Sequence, residues 1–71
     1  MNRLNPRKLL LSKWTAAKPR NREKHFLVTE LFADDEGTVL EIEVQAVLTR
    51  TTQRLPWQVL QDDGIWVMGW K

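Results

Sequence analysis

The stretch 38–50, TVLEIEVQAVLTR, constrains the fold more than any other part of the chain. Leu40, Ile42, Val44, Ala46 and Leu48 alternate with Glu41, Glu43, Gln45, Val47 and Thr49. A period of two sends each set to its own side of an extended chain, so this is a strand with one dry and one wet face. The flanks continue the pattern. Residues 25–34, HFLVTELFAD, are rich in strand formers, and 34–37, DDEG, have the acids and the glycine of a tight turn, with Gly37 free to take positive φ. After Arg50-Thr51-Thr52, the stretch QRLPWQVL places Pro56 either at a sheet edge or at the start of a short helical turn carrying Trp57, Val59 and Leu60.

Residues 25–57 therefore form an antiparallel meander of three strands, with SKWTAAK before it as a fourth. The expected fold is mainly β: a small antiparallel curled sheet or SH3-like open barrel of four to five strands, with short helical turns near 6–11 and 56–61. The first of those turns follows from Asn5-Pro6, a capping residue and then a proline suited to the first helical position. Residues 18–24, KPRNREK, read as a polar basic loop. The core is expected to hold Phe26, Val28, Leu31, Phe32, Leu40, Ile42, Val44, Leu48 and Leu55.

With 71 residues the chain is one domain, near the lower size limit for folding without staples, and residues 1–5 are expected to be flexible. Cysteine is absent, which excludes disulfides and thiolate-held metals. Apolar packing must supply the stability. His25 is the only histidine, so no metal site and no cofactor are expected. No apolar run approaches a secretion signal or a membrane span; a cytoplasmic location and no membrane partner are the expectation. Catalysis is not expected either: there is no second histidine, no glycine-rich phosphate cradle, and no base placed to activate Ser12 or the threonines. Asp34-Asp35-Glu36 is acidic but lacks the spacing of a calcium loop.

The net charge of +2 hides a separation. Arg3, Arg7, Lys8, Lys13, Lys18, Arg20, Arg22 and Lys24 stand in the first 25 residues against the single acid Glu23, while the remainder is mildly anionic. Either the two parts pair with each other, or the basic part faces an anionic partner.

Four tryptophans, Trp14, Trp57, Trp66 and Trp70, dominate the aromatic content. Each ring buries about 150–250 Å² and brings one N–H that needs a partner when hidden. Trp57, between Leu55 and Val59, is assigned to the core. As a strand, the tail sets Trp66, Met68 and Trp70 on one face and Ile65 and Val67 on the other. A sheet this small has little room for four indoles, so at least one, Trp14 or Trp70, is expected to stand open to water.

The stretches NPRKLLLSKWTAAKP, REKHFLVT, LPWQVLQD and WVMGWK together resemble a family of small tryptophan-rich bacterial proteins of unknown function. The likeness runs from about Asn5 to Lys71. It implies no activity, cofactor or partner, so the function has to be read from the residues.

The leading reading is a small binding module for RNA or single-stranded DNA, with Lys13, Trp14, Lys18, Arg20, Arg22 and Lys24 as its surface. Cations attract the phosphates, and exposed rings give the bases a place to stack. The alternative is a protein-interaction module, or a weak homo-oligomer, anchored by Trp66, Met68 and Trp70, since tryptophan and methionine are enriched at interface cores.

Overall fold

A computed structural model describes residues 1–71. Five strands, β1 (Lys13–Arg20), β2 (Glu23–Ala33), β3 (Val39–Ala46), β4 (Thr52–Pro56) and β5 (Trp66–Met68), form one antiparallel sheet in the order β4-β3-β2-β1-β5. The sheet does not close: β4 and β5 are its two edges. Two 3-10 turns, Pro6–Lys8 and Trp57–Gln61, complete the structure, so both expected helical turns are present and both are short. Asn5 caps the first through its side chain, which accepts from the Arg7 N–H at 3.1 Å.

The β2–β3 turn forms as the sequence predicts. One carboxylate oxygen of Asp34 accepts from the backbone N–H of Glu36 and of Thr38, each at 2.9 Å, and Gly37 takes φ +81°. The stretch 18–24 is a hairpin rather than a loop. Strand β1 runs to Arg20, which pairs with Glu23, and only Asn21 and Arg22 turn the chain, both at positive φ. Two consecutive left-handed residues match the natural twist of a hairpin. Pro19 lies where β1 has outrun β5 and its register with β2 shifts, so its missing N–H breaks no ladder.

One face of the sheet carries the core: Trp14, Phe26, Val28, Ile42, Val44, Ala46 and Trp66, closed over by Leu9 and Leu60 from the 3-10 segments. Trp14 is only 1 % exposed, paired with Phe26 on one side and Met68 on the other. Its N–H donates to the Ser12 hydroxyl at 2.8 Å. Trp66 meets Phe26 edge to face, with centroids 5.0 Å apart. Trp57 is half-buried and packs against the same cluster.

The strand pattern of residues 38–50 holds in its middle and fails at its ends. Ile42, Val44 and Ala46 are fully buried, whereas Leu40 is exposed and Val39 buried in its place. The cause is an irregularity in the β2–β3 pairing between Phe32 and Ala33, which shifts the parity. Leu48 is 71 % exposed because β3 stops at Ala46 and the chain turns, with the Arg50 N–H reaching back to the Ala46 carbonyl. Phe32 lies on the other face, where the Arg54 guanidinium sits 3.9 Å from its ring centroid and Glu41 holds Arg54 at 2.9 Å. Leu31 and Leu55 pack at the core margin.

The first residues are tied to the domain. The Asn2 side-chain amide donates to the carbonyls of Leu60 and Trp66 at 2.8 and 2.9 Å, and its backbone N–H donates to Gln61. The Met1 ammonium hydrogen-bonds to Asp63, holding that carboxyl below its ordinary pKa. No helix is long and apolar enough to cross a membrane.

Trp14 sets the stability. Trp14→Ala should cost about 3–5 kcal/mol through the cavity it leaves, against roughly 5 kcal/mol for a domain of this size. Urea denaturation should find that variant with about 0–2 kcal/mol left, its midpoint moved close to zero denaturant. Trp14→Phe, which keeps a ring but loses the N–H bonded to Ser12, should remain folded with a lower midpoint.

Candidate functional site

Strand alternation places Lys13, Thr15 and Val67 on the face of the sheet opposite Trp14, and His25 and Leu27 opposite Phe26. On a bare sheet these would all be wet. Here the tail covers part of them. Strand β5 ends at Met68 because Gly69 takes φ +80°, a conformation that costs most residues about 1–2 kcal/mol and glycine little. The Gly69 N–H donates to the Lys13 carbonyl at 2.8 Å. The Thr15 hydroxyl then donates to the Gly69 carbonyl at 2.6 Å and accepts from the Lys71 N–H at 2.9 Å, so both its hydrogen-bonding roles are filled and the residue is buried.

This turn carries Trp70 onto the outer face. The indole N–H donates to the Phe26 carbonyl at 3.0 Å, while the ring remains 43 % exposed. The Lys13 ammonium stands 4.8 Å from its centroid, and the His25 ring 5.9 Å away at a 40° tilt. His25 is held in turn: its Nε2–H donates to the Lys71 carbonyl at 3.0 Å. A Lys–Trp contact at such an exposed position contributes about 0.5–1 kcal/mol, little enough for the lysine to be displaced. Beyond His25, a shallow depression of about 260 Å³ is lined by Arg22, Lys24, His25, Val47 and Leu48. His25 thus links Lys13 and the Trp70 ring to this depression, giving one strip, Lys13–Trp70–His25–Lys24–Arg22.

The remaining predicted residues lie elsewhere. Lys18 and Arg20 line a cleft of about 430 Å³ with Ala16, Phe26 and Trp66. Trp14 is sealed in the core, which removes it from any stacking surface. Its neighbours Lys13 and Thr15 are polar, but they belong to the other face of the strand. The trio Trp66, Met68 and Trp70 is not one patch: Trp66 is buried, Met68 stays on the core side of the sheet edge, and Gly69 sends Trp70 to the opposite face. The tail is therefore not one continuous strand: it turns at Gly69, the residue that marks the turn in the sequence.

The charge separation is also settled geometrically. The structure has two ion pairs, Met1 with Asp63 and Arg54 with Glu41, and neither involves a cation from residues 3–24. Thr49 donates its hydroxyl to Glu23, the lone acid of the basic segment. The lysines and arginines of β1 and the β1–β2 hairpin therefore form no ion pair with the protein's own carboxylates, although Glu23 stands opposite Arg20.

A family model described as tryptophan-rich protein (DUF2389) matches residues 12–71, from the residue that accepts the Trp14 N–H to the tail that carries Trp70. The chain belongs to this family. No curated protein and no solved structure matches the chain. The family's function is unknown, and the matched region contains every strand and all four tryptophans of this member.

The geometry fixes which indole is accessible. Acrylamide quenching of single-tryptophan variants should find the fluorescence of Trp70 readily quenched and that of Trp14 and Trp66 shielded. Gly69→Ala has open space for its methyl group, so its cost is backbone strain alone, about 1 kcal/mol. It should loosen the tail and raise the quenching constant of Trp70 further.

Proposed function

We propose that this DUF2389 protein is a binding module for single-stranded nucleic acid, RNA or single-stranded DNA, which it takes along the strip from Lys13 past Trp70 and His25 to Lys24 and Arg22. One observation carries the reading: the exposed indole of Trp70 lies directly against Lys13, a cation that has no acidic partner of its own. Base stacking on an aromatic ring tolerates any sequence, because every base has a π-face, and cations alongside it track the phosphates.

The strip suits that task in two further ways. The N–H bond from Trp70 to Phe26 and the clamp of Thr15 on Gly69 and Lys71 hold the indole in place, so little ordering remains to be done on binding. Lys13 covers the ring without being locked to it, and a base that displaces the ammonium leaves it free to contact a neighbouring phosphate. Net charge is modest, which favours short, reversible contacts over tight wrapping.

Fluorescence anisotropy with a labelled mixed-sequence oligonucleotide tests this. Affinity should fall steeply with added salt; if about four phosphates are neutralised, the log–log slope is about −3 for a single strand. Trp70→Ala should weaken binding by about 1–3 kcal/mol, the usual worth of one stacked base, without unfolding the domain. Lys24→Glu should lower the salt slope. Binding that ignores both salt and Trp70→Ala would overturn the proposal.

A further inference from the structure

On the other side of the β5 edge, an open groove of about 470 Å³ separates the N-terminal segment from β1 and the end of β5. Its floor is apolar: Leu9 and Trp14 from the core, with half-buried Leu4 beside them. Its walls are apolar and wet, Leu11 at 64 % and Met68 at 50 % exposure. Arg3, Lys8 and Lys13 stand among the lining residues, no acid does, and none of the three is in an ion pair. A groove that is aliphatic inside and solely cationic in its charge has a complement of definite chemistry.

Leu11 sharpens the case. Its φ is +65°, a left-handed conformation disfavoured for a leucine, and its backbone is fixed there by an N–H bond to the Val28 carbonyl at 2.7 Å and by the Ser12 N–H to the Leu9 carbonyl at 2.9 Å. Glycine or asparagine would take this position with less strain. The chain instead holds a large aliphatic side chain open to water at the groove wall. Strain of this kind tends to collect where a surface has work to do.

We infer that this groove is a docking site for an acidic, amphipathic segment of a partner protein, whose aliphatic side chains pack on Leu4, Leu11 and Met68 while its carboxylates meet Arg3, Lys8 and Lys13. Charge complementarity selects the acids, and the aliphatic lining selects side chains rather than bases, since the only ring there, Trp14, is sealed. A flat bilayer does not enter a concave groove of this size. The groove lies on the other side of the sheet edge from the Trp70 strip, and the two surfaces share Lys13 alone.

Selection of displayed random peptides of about a dozen residues on the full chain tests it, followed by backbone amide shift mapping with the best peptide. The enriched sequences should combine aliphatic residues with aspartate or glutamate, and the shifts should centre on Leu11, Met68 and Lys8. Leu11→Gly removes the side chain and relieves the backbone, so it should keep or raise the thermal midpoint yet weaken the peptide roughly tenfold, as loss of an interface anchor does. Lys8→Glu should weaken it comparably, and Trp70→Ala, which releases Lys13, should not weaken it. Enrichment of basic or uncharged peptides, equal binding to Leu11→Gly, or shifts confined to the Trp70–His25 strip would overturn the inference. So would occupation of the groove by a second copy of the chain, or by anionic vesicles alone.

Discussion

Trp14 and Thr15 are the only adjacent pair of residues in the chain that are both buried, and they are buried on opposite faces of the same strand. The rest of the structure depends on that pair. Trp14 fills the core between β2 and β5, and its N–H bond to Ser12 fixes the turn that brings Leu9 over the sheet. Thr15 clamps the tail from the other side through Gly69 and Lys71. A small antiparallel sheet usually has one wet face. Here β1 is covered on both, at the one point where the chain's two ends are organised. Both candidate surfaces, the Trp70 strip and the N-terminal groove, are built outward from it.

Much of this was legible in the sequence, and the failures share a cause. The alternation of residues 38–50 identified a strand and correctly placed Ile42, Val44 and Ala46, because parity is a local property of extended backbone. Leu40 and Leu48 went wrong where parity is reset: at the irregularity beside Ala33, and at the turn that starts after Ala46. The tail failed in the same way. Trp66, Met68 and Trp70 share a face only if the strand continues, and it stops at Gly69. Residues 18–24 looked like a loop because Pro19, Asn21 and their charged neighbours are poor strand formers, yet two left-handed residues sufficed to turn the chain. Register and bulges are set by partners distant in sequence, which a single strand does not disclose.

The candidate site was legible in its chemistry and not in its membership. The basic segment and an exposed indole were both foreseeable, as was their proximity in general terms. Which indole it was could not be read from neighbours. Lys13 and Thr15 flank Trp14 and are polar, but in a strand the adjacent residues report on the opposite face. Trp70, next to the terminus, is the ring exposed, and it lies against Lys13, far away in sequence. His25 hydrogen-bonds to Lys71 and touches both the Trp70 ring and the depression lined by Arg22 and Lys24.

Lys13 stands where the two surfaces meet. Its ammonium lies over Trp70 on the outer face, and the residue also lines the groove on the core side of the β5 edge. This follows from its position on β1, one residue before the doubly buried pair, where strand and tail separate. A flexible four-carbon stem lets one ammonium reach toward either side, but not toward both at once. Two anionic ligands, one on each face, would therefore compete for the same charge even though their surfaces share no other residue. In a domain with few cations and small faces, one lysine at the edge of the sheet is enough to connect what happens on one side with what happens on the other.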